Sequence, residues 1–170
     1  MTPQEQLLTV IALTLISGLA MPAGALLANI GRIHPNWLDQ EFKHGVIAFG
    51  GGALLSAVAL VLVPQGIEGL SMFWAAVYFC GGGFAFMAID ILLYRLNTPA
   101  SQLAAMLSDF IPEALALGAA FAMGGSSGFL LAGLMTLQNL PEGFNAFREL
   151  KDSSSFSATK IITLFFIMSL

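Results

Sequence analysis

Ser101–Met123, SQLAAMLSDFIPEALALGAAFAM, is apolar over nearly its whole length and yet holds two acids, Asp109 and Glu113. A helix needs about 20 residues to cross a bilayer, and this stretch has 23. An acid at the centre of such a helix costs roughly 2.5–3.5 kcal/mol on insertion scales. Two of them there require a reason. Asp109-Phe-Ile-Pro-Glu113-Ala has a near-copy 29 positions on, Gln138-Asn-Leu-Pro-Glu142-Gly, inside the next apolar run. Together the two stretches indicate an all-α, polytopic membrane bundle with a cation site at its centre.

The rest of the chain agrees with that class. Of 170 residues, 57% are apolar and only 9% charged, and the mean hydropathy is strongly positive. Those values lie outside the range of soluble domains. Disorder and nucleic-acid binding are excluded with them, because there is no basic patch and almost no polar tract. The net charge of −4 matters less than where the charges fall. Cys80 is the only cysteine, so it forms no intrachain disulfide and reads as a small helix-packing residue. The N-terminus has Glu5 and no basic residue before its apolar run. A secretory leader carries a positive n-region, so this run reads as a retained helix.

The chain reads as one membrane domain over 1–170, with apolar runs at about 7–30, 44–64, 70–94, 101–123, 129–147 and 156–170. Met21-Pro-Ala-Gly24 interrupts the first run. A polar linker, 31–43, follows it, and Pro64–Gly69 reads as a turn. Asn97-Thr-Pro99 stops the third run, and Gly124–Gly128 is a tight loop. The sixth run is still apolar at Leu170 after about 15 residues, short for a crossing, so the chain reads as C-terminally truncated. Arg32, Lys43, Arg95, Arg148, Lys151 and Lys160 account for all six Lys and Arg residues. They fall in or beside the first, third and fifth connections. Positive residues stay cytoplasmic, which places the N-terminus outside the cytoplasm and the protein in the plasma (cytoplasmic) membrane.

Asp109 and Glu113 lie one turn apart on one face of the fourth span, and Gln138 and Glu142 repeat that spacing on the fifth. If those spans are antiparallel neighbours, the two faces meet near mid-membrane, with Asn139 adding an oxygen slightly round the helix. Pro112 and Pro141 cannot donate to the carbonyls of Ser108 and Leu137. In lipid a freed carbonyl needs another partner, which a cation can supply. Kink, spare carbonyl and carboxylate thus coincide at one depth. The blander reading is a pair of protonated, hydrogen-bonded glutamates serving helix contact alone.

Other features are weaker. Gly50–Gly52 and Gly81–Gly83 read as helix-contact residues, and Trp37 and Trp74 as interfacial anchors. Asp90, close to Arg95, reads as an anchor too. His34 and His44 belong to a solvated linker, and Glu68 to an exposed turn. No phosphate-cradling loop, nucleophile triad or zinc-type Cys/His cluster is present in the sequence, which argues against an enzyme.

The two motifs resemble those of the ZIP (Zrt/Irt-like) family of divalent metal transporters. Gln138-Asn-Leu-Pro-Glu142-Gly fits that family's fifth-helix pattern well. Asp109-Phe-Ile-Pro-Glu113-Ala shares only the Pro-Glu core of the fourth: Asp109 stands for the usual histidine, Phe110 for asparagine and Ala114 for glycine. The resemblance implies eight spans with both termini extracytoplasmic and a metal site between the fourth and fifth. Its first and last three helices would form a pseudo-symmetric pair around those two. It assigns Asp109, Glu113, Gln138 and Glu142 to a primary metal site. Asn139 and the bridging glutamates go to a second, from which Phe110 removes one ligand. A further acid expected from the sixth helix lies past Leu170. No cofactor is implied; the divalent metal is transported substrate, zinc first, with iron or manganese favoured by the all-oxygen donor set. Expected partners are that metal and the lipid bilayer, with a homodimer left open and no nucleic acid. The alternative function is a membrane metal sensor that binds without transporting.

Overall fold

The computed structural model describes residues 2–30, 36–96, 98–124 and 126–170, without the side chains of 36–39, 99, 100 and 102. Expectations for Arg32 and His34, and for the Trp37 side chain, lie outside the described residues. Helices account for nearly all the rest, and no strand occurs among the described residues. The helices are α1 (Pro3–Ile30), α2 (Asn36–Ala57), α3 (Val63–Gly69), α4 (Met72–Leu96), α5 (Pro99–Ala122), α6 (Ser127–Ser153) and α7 (Ala158–Met168). A π-helical turn, Val58–Leu62, joins α2 to α3 without a break.

Among the described residues, four helical stretches are long and apolar enough to cross a membrane: Pro3–Ile30, Gln40–Gly69, Met72–Leu96 and Leu103–Ala122. α6 has 27 residues but is more polar, and α7 has 11. Two sequence expectations need correction. Pro22 lies inside a continuous α1, so Met21–Gly24 is no interruption. Pro64–Gly69 is helical, and the chain turns at Leu70–Ser71. In the π turn, Val63 N–H reaches the carbonyl of Val58, five residues back, and this wider turn makes room for the Pro64 ring.

Local chemistry sets the ends of the site-bearing helices. Thr98 caps α5 reciprocally with Ser101: Ser101 N–H donates to Thr98 Oγ1 at 3.1 Å, and Thr98 N–H to Ser101 Oγ at 3.0 Å. Such a box satisfies two otherwise orphaned donors. Thr98, within the stretch read as a helix stop, therefore starts α5, which begins at Pro99. Gly124, with φ of +74°, supplies the left-handed residue that turns the chain from α5 toward α6.

α6 is the axis. Its largest interface is with α1, followed by α2, α5 and α7, and 12 of its residues are buried. The α1–α6 crossing is close because it runs through glycines. A Cβ on Gly24 would collide with the Leu140 carbonyl oxygen, and one on Gly143 with that of Met21. In lipid, small residues at such a crossing bring backbones into contact where no hydrophobic drive exists. Ser17, Thr136 and Asn139 form a polar seam beside it. Ser17 Oγ donates to the Ala132 carbonyl at 3.1 Å, and Thr136 Oγ1 donates to the same oxygen at 2.8 Å. Of the glycine triplets only Gly50 meets another helix, against the Pro141 ring; Gly51, Gly52 and Gly81–Gly83 face open space. α4 has no buried residue and touches chiefly α5 and α3. Trp74 lies exposed in its first turn.

Candidate metal-binding site

Two proline-containing helices meet at the centre of the bundle. Pro112 lies within α5 and Pro141 within α6, and both helices continue past the ring. Each proline withdraws one N–H from its helix ladder, at the residue immediately before the glutamate. Pro141 is buried against Gly50 of α2, whose missing side chain admits the ring. That contact fixes the turn of α6 that presents Gln138 and Glu142.

Of the five expected site residues, Glu113 and Gln138 make direct contact. The Gln138 Nε2 amide donates to Glu113 Oε1, linking α5 to α6 as the matching motifs require. Gln138 is only 7% exposed. Its Oε1 and the second Glu113 oxygen, Oε2, are buried with no hydrogen-bond partner. Both are acceptors, and a buried acceptor left unmatched costs about 1–3 kcal/mol. A cation could satisfy both once the Gln138 carboxamide turns its oxygen toward Glu113.

Glu142, one turn beyond Gln138, lies within electrostatic reach of Asp109 and Glu113. Asp109 is exposed on α5 and also feels the charge of Asp90 on α4. Asp90 thus belongs to the acidic surroundings of the site and not only to the helix end where the sequence placed it. Among the described residues no three His, Cys, Asp or Glu side chains gather closely enough to hold a metal ion. The groups that converge are Glu113, the Gln138 amide and, beside them, Glu142.

Asn139 stands apart. It is fully buried, and its Nδ2 donates to the Ser17 carbonyl of α1 at 3.0 Å. Adjacent residues on a helix differ by about 100° in direction, so Gln138 can face α5 while Asn139 faces α1. Asn139 Oδ1 has no partner. Phe110, at the position where an asparagine ligand is expected, is buried in the apolar core, its ring next to Gly18 of α1.

Sequence reasoning missed the seam residues Ser17 and Thr136 and the unpartnered Asn145 Oδ1. Only the period of α6 could have pointed to Asn145, since it continues the Gln138–Glu142 face. Comparison with protein-family models, with curated proteins and with solved structures finds no match.

Proposed function

We propose that the chain binds a divalent transition metal between α5 and α6 and carries it across the membrane toward the cytoplasm. The proposed primary ligands are Glu113, Gln138 and Glu142, with Asp109 at the rim. Asn139, turned toward Ser17 of α1, is not among them. The observation that carries the reading is the pair of buried, unpartnered oxygens, Glu113 Oε2 and Gln138 Oε1, where two Pro-containing helices meet. The likeness of the two motifs to those of ZIP transporters supports the same reading and extends it to a ZIP-like bundle of about six spans. Zinc is the first candidate; an oxygen-only site also suits Fe²⁺ or Mn²⁺.

Such a site needs no chemical conversion and no resident cofactor. Two carboxylates neutralise the ion, the Gln138 oxygen completes its oxygen shell, and the spare carbonyls of Ser108 and Leu137 provide further acceptors. To load, the Gln138 carboxamide must turn, replacing the N–H it offers Glu113 with its oxygen.

The test is metal-dependent thermal stabilisation of the purified protein in detergent. Zinc is expected to raise the melting temperature of the wild type, and Glu113→Ala with Glu142→Ala to abolish the rise. An undiminished rise in the double variant overturns the reading. Burial of Phe110 in the apolar core takes one donor from the site, and this favours a second reading: a membrane metal sensor that binds without transport. Uptake of labelled zinc into proteoliposomes separates the two, since a sensor gives binding without uptake.

A further inference from the structure

Gln138, Glu142, Asn145 and Glu149 follow one another on α6 at spacings of four, three and four. Eleven residues carry a helix through three turns and about 20°, over a rise of about 16 Å. The four polar groups therefore form one straight stripe down α6. On α5, Ser101, Ala105 and Asp109 lead up to Glu113 at intervals of four. The lower ends of both stripes open into one cavity of about 710 Å³, lined by Asp90, Arg95, Ser101, Ala105, Glu149 and Ser153 among others. That cavity reaches Ala105, a single turn below Asp109. Along the stripe between cavity and site, Asn145 Oδ1 is buried with no partner.

This end of the bundle is where α4 and α6 finish and α5 begins. Arg95, Arg148 and Lys151 lie here, which by the distribution of basic residues is the cytoplasmic side. The wall formed by α4 has no buried residue, so it is held by few of the contacts that would resist its displacement.

We propose that this cavity is the cytoplasmic doorway of the cation route, and that Asp90 and Glu149 are its outer carboxylates. They pass the ion between solvent and the Glu113–Gln138–Glu142 site, with Asn145 as the step between. The proposal rests on the metal-carrier reading above. Clefts lined by one sign of charge raise the local concentration and entry rate of the counter-ion by about 10–10³. Among the described residues that line this cavity are two acids and one cation, Arg95, so its charge is net negative though not of one sign. Neutralising them slows exchange with the cytoplasm and leaves the deep site's own ligands in place.

Two measurements on the full chain test it. The first is zinc uptake by proteoliposomes together with zinc-induced thermal stabilisation, for Asp90→Asn plus Glu149→Gln. Uptake is expected to fall about tenfold, the lower end of the electrostatic range, with thermal stabilisation kept. Unchanged uptake overturns the doorway. If Glu113→Ala plus Glu142→Ala leaves both uptake and stabilisation intact, it is the carrier reading itself that fails. The second uses Ala105→Cys in a Cys80→Ser background and a membrane-impermeant maleimide applied to either side of sealed vesicles. Labelling is expected from the cytoplasmic side alone and slowed by zinc. Labelling from the opposite side, or labelling that zinc leaves unaltered, overturns the proposal even for a chain that binds metal without transport.

Discussion

At the residue scale the site turns on Gln138, the side chain that joins the two motifs. It supplies the hydrogen bond that Glu113 has inside an apolar bundle. Gln138→Leu is expected to destabilise the metal-free protein by about 1–3 kcal/mol, because a buried polar group loses its partner. The same change is expected to weaken zinc binding, since the amide oxygen is also a ligand. Denaturation in detergent with and without zinc reads both effects. A loss of stability with zinc affinity unchanged would make Gln138 a helix-contact residue only. Asn139 behaves differently. Its bond to Ser17 belongs to the α1 seam, and side-chain hydrogen bonds within membrane bundles average about 0.6 kcal/mol. Asn139→Leu is therefore expected to cost about that much by the same measurement.

At the element scale, the α1–α6 crossing sets which faces of α6 are available. Gly143 touches the Met21 backbone, so a methyl group there must push two helices apart. Gly143→Ala is expected to destabilise by about 1–3 kcal/mol, the range for overpacking a tight contact. Gly82→Ala, where a Cβ meets nothing within 4 Å, is expected to stay within about 0.5 kcal/mol. Equal effects in the two variants would contradict the crossing described here.

The same crossing explains what could be read from the sequence. The positions of α5 and most of α6 followed from apolar runs, the stop at Asn97-Thr-Pro99 and the Gly124–Gly128 loop, all of them local; the extension of α6 to Ser153 did not. That Glu113 would meet Gln138 followed from matched spacing and a short connection. That Asn139 would turn toward Ser17 did not follow, because it depends on where α1 docks, and the docking is set by Gly24 and Gly143 at distant positions. Pro64 misled for a related reason. A proline in an apolar run reads as a break, unless a π turn one step earlier has already widened the helix.

At the scale of the whole molecule, α4 and the outer faces of α1 and α2 are apolar and exposed: Phe73, Phe79, Phe84 and Leu92 are all more than half exposed. In water such a surface would aggregate, whereas a bilayer would cover it. Charge and burial then place the acids at the middle of α5 and α6 and the cations at one end. The Ser126–Ser127 connection is accordingly expected on the side opposite Lys151. Single cysteines introduced at Ser126 and Ser155 in the Cys80→Ser background are expected to label from opposite sides of the membrane; labelling from one side would overturn the orientation.

Whether α5 and α6 hold a metal ion between them is the question on which the rest depends, and a calorimetric titration of the purified protein with zinc answers it most directly. Saturable binding is expected in the wild type, with affinity lost in Glu113→Ala and in Glu142→Ala while both variants keep their helical circular dichroism. Binding of equal affinity in the wild type and in a folded Glu113→Ala, Glu142→Ala double variant would contradict it.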